Sequence, residues 1–152
     1  MALKPIPEGY HSVTPYLICK GAARAIDFYR KAFGATEIMR FPGPNDTIMH
    51  AEIQIGDSRI MLADETQEYK APQANSGNPI SLMIYVPDVD KTFNQAVREG
   101  ARSKRAVEDQ FYGDRLGTLE DPFGHVWSIA THVEDVTEQE MQRRMLALGK
   151  TA

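Results

Sequence analysis

Apolar positions change period along the chain, and the changes mark out the elements. Val13 to Cys19 alternates as a strand, with Pro15 arguing for an edge position or a local irregularity. Ala22, Ile26, Tyr29 and Phe33 then recur at helical spacing, and Gly34 stands where a helix C-cap is expected. Period-two runs return over Thr36 to Phe41, Thr47 to Ile55 and Arg59 to Ala63, the last two joined by the tight turn Gly56-Asp57. The first module, residues 10–65, therefore reads β-α-β-β-β.

The same order starts again after residues 66–79, a polar stretch with two prolines and a glycine that reads as a linker or a mobile loop, possible as a lid. Ile80 to Val86 is a strand. Val89, Phe93, Ala96 and Val97 mark an amphipathic helix ending at Gly100, and three strands follow near 103–110, 114–120 and 125–131. The second module, residues 80–132, is again β-α-β-β-β, and a duplicated unit is the economical account. Thr137-Glu138-Gln139-Glu140 has the form of a capping box. It predicts a third helix over 137–148, outside both modules, with Met141, Met145 and Leu148 on one face.

The hairpin from Phe111 to His132 closes the second module. Asp121-Pro122-Phe123-Gly124 is its turn, with proline presetting φ and glycine easing the exit. Alternation puts Val126, Ser128 and Ala130 on one face and Trp127 and Ile129 on the other, which makes Trp127 a core residue. Leu82, Ile84 and Val86 lie under the helices, with Ser81, Met83 and Tyr85 opposite. In the strand 47–55, Met49, Ala51, Ile53 and Ile55 form the core face, and Ile48, His50, Glu52 and Gln54 the other. The expected fold is α+β: two βαβββ modules forming an eight-stranded cupped mixed sheet, plus a C-terminal helix, within a single domain over residues 1–152. The second face is mixed polar and aromatic, the usual lining of a small-molecule site.

Composition narrows the classes. A net charge of −4 without a cluster of basic residues argues against a nucleic-acid partner. No apolar run approaches the ~20 residues of a membrane span, and MALKPIPEGYHSV lacks the apolar run of a signal peptide, so a soluble cytoplasmic protein is expected. A lone cysteine, Cys19, excludes an intrachain disulfide.

Val13-Thr14-Pro15-Tyr16-Leu17, Ala25-Ile26-Asp27-Phe28-Tyr29 and Asp121-Pro122-Phe123-Gly124-His125, set in paired βαβββ modules, resemble the vicinal oxygen chelate superfamily over about residues 10–132. That superfamily includes glyoxalase I, extradiol dioxygenases, fosfomycin-resistance transferases and bleomycin-resistance proteins. The likeness is to its small bacterial glyoxalase-like branch with an FYGDR loop. It implies a cup that binds a small molecule, and a homodimer. The fold hosts several reactions and specifies none of them.

Metal-dependent members place His, Gln or Glu on the first and last strand of each module. Carried over, those positions fall on Thr14, Met61, Ser81 and Ser128, none of which is a good ligand for a catalytic divalent ion. No metal and no cofactor are therefore expected. His50 and Glu52, two apart on one strand face, either line the cup as a hydrogen-bonded pair or act as general acid and base. Tyr16 and Tyr85 are expected on the cup face, to stack on a planar ligand or to pack. Arg115, near Phe111 and Tyr112, either grips a ligand oxygen or pairs locally with Asp114. His11, His125 and His132 read as loop or structural residues.

The candidate site is thus Tyr16, His50, Tyr85, Tyr112 and Arg115 for binding, with His50, Glu52 and Tyr16 as candidates for catalysis. Three rivals stand beside a metal-free binding protein: a metal-dependent lyase or dioxygenase, a metal-independent enzyme using His50 or Tyr16, and a sequestering protein without catalysis.

Overall fold

The computed structural model describes residues 3–73 and 77–149, so the middle of the 66–79 linker, residues 74–76, lies outside the described residues. Module one holds β1 (Tyr16–Cys19), α1 (Ala22–Phe33), β2 (Thr36–Pro42), β3 (Ile48–Ile55) and β4 (Ser58–Asp64). Module two holds β5 (Ser81–Tyr85), α2 (Val89–Arg98), β6 (Arg102–Asp109), β7 (Asp114–Glu120) and β8 (Val126–His132), and α3 (Glu138–Gly149) follows. The eight expected strands form two four-stranded mixed sheets, ordered β1-β4-β3-β2 and β5-β8-β7-β6. In each, the first strand pairs parallel with the last and the others are antiparallel. β1 begins only after Pro15, which has no N–H to give the ladder.

α1 buries Ala22, Ala25, Ile26, Phe28, Tyr29 and Ala32, and ends at Gly34, whose φ of 70° lets its N–H reach the Arg30 and Tyr29 carbonyls. Its start has no capping side chain of its own. Asp64, at the end of β4, fills that role from a distance: its Oδ1 accepts from the N–H groups of Gly21 and Ala22 at 2.8 and 3.0 Å. Its Oδ2 accepts from Ile48 N–H at 2.8 Å. One carboxylate thus joins β4, β3 and the positive end of α1.

The modules share one core. Leu17, Ile26, Ile53 and Leu62 from module one lie in the same buried cluster as Phe93, Leu119, Trp127 and Ile129 from module two. Each fully buried side chain of this size contributes about 1.5–3 kcal/mol. Aromatic rings carry the contact across the boundary, with Phe33 on α1 4.9 Å and Tyr29 5.5 Å from Trp127 on β8, between ring centroids.

Two expectations need correction, the faces at the start of β3 and the capping box of α3, and the linker is anchored at two points. Ile48 is buried and Met49 is 67% exposed, the reverse of plain alternation. The pairing of β2 with β3 shifts register between Phe41 and Pro42, and an irregularity there turns the start of β3 over. In the linker, Ala71 is buried, Tyr69 N–H bonds to Thr66 Oγ1 at 3.1 Å, and Asn78 Nδ2 reaches Gly124 O at 3.4 Å. Ala71 and Asn78 thus touch the body, while residues 66–70, 73, 77 and 79 are exposed. Thr137 caps α3 through Glu140 N–H at 3.2 Å, but the Glu140 carboxylate turns to Arg143 and Arg144 instead of completing a capping box.

Candidate functional site

Opposed residues in a sheet share a face, so the row Tyr16–Met61–Glu52–Met39 crosses the cup side of sheet one, with His50 and Phe41 in the next row. The face opposite carries Leu17, Leu62 and Ala51, all buried. Within the cup row, Tyr16 Oη lies 2.9 Å from His50 Nδ1, and His50 Nε2 lies 2.7 Å from Glu52 Oε2. The chemistry assigns the protons. A carboxylate can only accept, so Nε2 carries hydrogen, and in the neutral ring Nδ1 then accepts from the Tyr16 hydroxyl. Glu52 is 9% exposed, which makes it a firm orienter of the ring.

Tyr16 is the exposed end of this chain. Its ring forms part of the wall of a cavity of about 990 Å³, together with Ile18, Met49, Ala63, Tyr69 and Glu65. That volume suits a drug-sized ligand. Burial raises the Tyr16 phenol above its ordinary value, and the nearby Tyr69 adds to the rise. The hydroxyl therefore keeps its proton at neutral pH. The arrangement can take a proton from a bound molecule onto Tyr16 while the Tyr16 proton passes to His50 Nδ1 and Glu52 balances the imidazolium.

Tyr85, Tyr112 and Arg115 do not join this group. Tyr85 is on the cup side of sheet two, where its hydroxyl donates to Asp114 Oδ2 at 2.8 Å, and that bond is the main cause of its raised pKa. Tyr112 lies in the turn before β7, edge-to-face with Phe111 at 5.2 Å, and adds to the rise at Tyr85. Arg115 alternates to the opposite face of β7. Its Nε and Nη2 form a fork on the Asp90 carboxylate of α2 at 2.8 and 3.0 Å, and Nη1 reaches Asp109 at 3.1 Å. The expected pairing with Asp114 gives way to this clamp on Asp90 and Asp109, because one residue along a strand reverses the face.

A second polar array was not foreseen. Asp114, 4% exposed, accepts from Tyr85 on one oxygen and meets His132 Nδ1 at 2.9 Å on the other. His132 Nε2 meets Asp135 at 2.7 Å. The Asp114 hydrogen bond, then that of Asp135, raises the His132 pKa, so both ring nitrogens donate when it is charged. The hairpin closes over 121–125, with Asp121 N–H bonded to His125 O, and this register sets Asp114 opposite His132; counting outward from a four-residue 121–124 turn would have given Thr131. His125 is structural as expected, with Nε2 3.0 Å from Ile18 O.

The four positions implied for a metal do not fit one. Thr14 precedes β1, Met61 brings a thioether, Ser81 opens β5, and Ser128 Oγ shares a hydrogen bond with Thr118 at 3.1 Å. The donor atoms of His50 and Glu52 point at each other. Among the described residues no three His, Cys, Asp or Glu side chains gather as a metal site.

Comparison with known proteins agrees with this fold. The family model for the Glyoxalase/Bleomycin resistance protein/Dioxygenase superfamily matches residues 10–129. An uncharacterized protein of Mycobacterium bovis is 39% identical over 143 residues, 91% of this chain and 94% of that protein. Among solved structures, TioX from Micromonospora sp. ML1 superposes with a TM-score of 0.66 at 24% identity, over 81% of this chain and 99% of TioX. The genomically encoded fosfomycin resistance protein FosX from Listeria monocytogenes gives 0.62 at 16% identity, over 86% of this chain and 97% of FosX. At these identities the structural likeness speaks for the fold alone.

Proposed function

Because the chain belongs to the Glyoxalase/Bleomycin resistance protein/Dioxygenase superfamily, we propose that it binds a small organic molecule on the cup face of sheet one, without a family metal. The observation that carries this reading is the double role of Tyr16, which lines the cavity of about 990 Å³ and holds His50 at 2.9 Å. The cavity wall sets Ile18, Ile48, Met49, Tyr16 and Tyr69 beside polar groups that include Asn45, Asp64, Glu65 and Glu68, a mixture of apolar surface and polar groups that suits a small organic molecule. A small-molecule library screened by native mass spectrometry against the wild-type chain and Tyr16→Ala tests it. Hits that wild type retains and Tyr16→Ala loses support the site. Hits held equally by both would move the binding elsewhere.

A second reading, metal-independent acid–base catalysis, is favoured by the Glu52–His50–Tyr16 chain itself, since an oriented base with a buried carboxylate behind it is more than binding requires. Turnover of a retained hit that falls in His50→Ala and in Glu52→Gln, with binding intact, separates catalysis from sequestration.

The proposed working form is a cytoplasmic homodimer with no nucleic-acid or membrane partner. Phe41, Met49, Met83 and Tyr85 are between 46% and 67% exposed, and a second copy would cover such surface. No helix among the described residues is long and apolar enough to cross a membrane. Sedimentation of a monomer at micromolar concentration would remove the dimer from the proposal.

A further inference from the structure

Arg59 faces the cup from the end of β4 opposite Ala63, in the row Arg59, Met61, Ala63. It is half-buried and, among the described residues, has no hydrogen bond or ion pair, and its Nε is buried without an acceptor. Arg30, Arg40, Arg102, Arg115, Arg143 and Arg144 all have carboxylate partners. A buried N–H without an acceptor costs roughly 1–3 kcal/mol, so it marks either a defect or a place prepared for a partner.

A second orphan lies beside the first. The guanidinium of Arg59 sits over the Tyr10 ring, 5.2 Å from its centroid, and the Tyr10 hydroxyl is also buried without a partner. The chain reaches this position through Gly9, whose φ is +87° and where a Cβ would come 2.7 Å from Arg59 Nη2. The positive φ favours glycine at this turn, and a larger residue would also push the end of the Arg59 side chain aside. The residue 9–10 segment therefore forms a cradle around the guanidinium, built from a part of the chain outside both sheets.

Arg59 also lines a cavity of about 690 Å³ at the boundary of the modules, with His11, Thr14, Ser58 and Tyr85 as its other polar neighbours. Asp57 lines it too, but lies beyond ion-pair distance of Arg59 and accepts from Ser58 Oγ at 3.1 Å. The Tyr85 hydroxyl is taken by Asp114 and the Ser58 hydroxyl by Asp57, which leaves the Arg59 guanidinium as a fork of N–H donors without an ion-pair partner among the described residues, the geometry that matches an oxyanion. We infer that Arg59, held against the Tyr10 ring, forms an anion-binding subsite at the module boundary, taking a carboxylate or phosphoryl oxygen of a small molecule. It is distinct from the Tyr16–His50–Glu52 site and does not depend on it.

The experiment titrates the full chain with inorganic phosphate and, separately, with acetate at constant ionic strength, followed by calorimetry and by the Arg59 Nε–H resonance. Saturable binding of either anion with a shift of that resonance is expected, phosphate indicating a phosphoryl ligand and acetate a carboxylate. Arg59→Gln and Arg59→Lys should each weaken it about tenfold or more, since the first removes the charge and the second the planar fork. Tyr10→Phe keeps the ring under the guanidinium, so it should leave binding unchanged and raise the melting temperature of the unliganded protein, because it removes a buried hydroxyl without a partner. Absence of saturable binding of both anions overturns the proposal. So does equal affinity in Arg59→Lys, a variant that keeps the charge and is expected to fold even if Arg59→Gln does not.

Discussion

The Tyr29 hydroxyl on α1 donates to Asp121 Oδ2 at 2.5 Å, joining the helix of module one to the turn of module two, 92 residues away. The same Oδ2 accepts from Trp127 Nε1 at 2.9 Å, and Oδ1 accepts from the backbone N–H groups of Phe123 and His125 at 2.9 and 3.0 Å. Asp121 is 3% exposed, so four donors converge on one buried carboxylate. Burial, followed by the charge of Asp121, raises the Tyr29 phenol well above its ordinary value, which keeps it a donor.

Asp121→Ala should therefore destabilise the fold by roughly 3–5 kcal/mol, because it strands four buried donors at once. Tyr29→Phe should cost less, about 1–2 kcal/mol, since Trp127 and the turn still satisfy the carboxylate. Urea unfolding of both variants checks the order. Equal small losses would mean that the node is not what couples the modules.

His132 offers a pH-dependent test. Asp114 first, and Asp135 second, raise its folded-state pKa above the ordinary value of 6.5. A raised pKa means that the stabilisation is fully present below about pH 6.5 and is lost as pH rises through the folded value. Asp114→Asn should lower the His132 pKa seen in an NMR titration, and Asp135→Asn should lower it by less. An unchanged titration in Asp114→Asn would refute the pairing.

Arg115→Lys should leave small-molecule binding unchanged and lower stability slightly, since a lysine cannot keep the fork on Asp90 while also reaching Asp109. The Asp90 carboxyl is held below its ordinary value, chiefly by the Arg115 hydrogen bond. Its contribution is therefore present above the unfolded pKa and lost as pH falls through the folded one. A variant that folds normally but loses ligand would return Arg115 to the binding site.

Protein purified without added metal should carry no stoichiometric divalent ion, and chelator should leave its circular dichroism unchanged. Thr14, Met61, Ser81 and Ser128 supply neither imidazole nor carboxylate at the positions implied for ligands. Elemental analysis decides. About one tightly held transition metal per chain, lost in His50→Ala, would make His50 and Glu52 ligands instead of members of a hydrogen-bonded chain.

The sequence alone was enough for the element order, the duplication and most strand faces. Those follow from local periodicity: Ala51, Ile53 and Trp127 are buried as alternation requires, and α1 stops at its glycine. Where the local ladder slipped, at Phe41 and Pro42, the reading of Ile48 and Met49 slipped with it. Tertiary structure alone decided which polar groups meet. Tyr16 finds His50 across 34 residues and a strand of another hairpin, Asp64 caps a helix 42 residues away, and Arg115 turns to Asp90 on α2. The physical reason is one of range, and it operates inside each module, where strands and a helix distant in sequence are packed together. Periodicity reports which face a side chain takes, whereas a hydrogen bond needs its partner within about 3 Å, and only the packing of strands and helix within each module sets that distance.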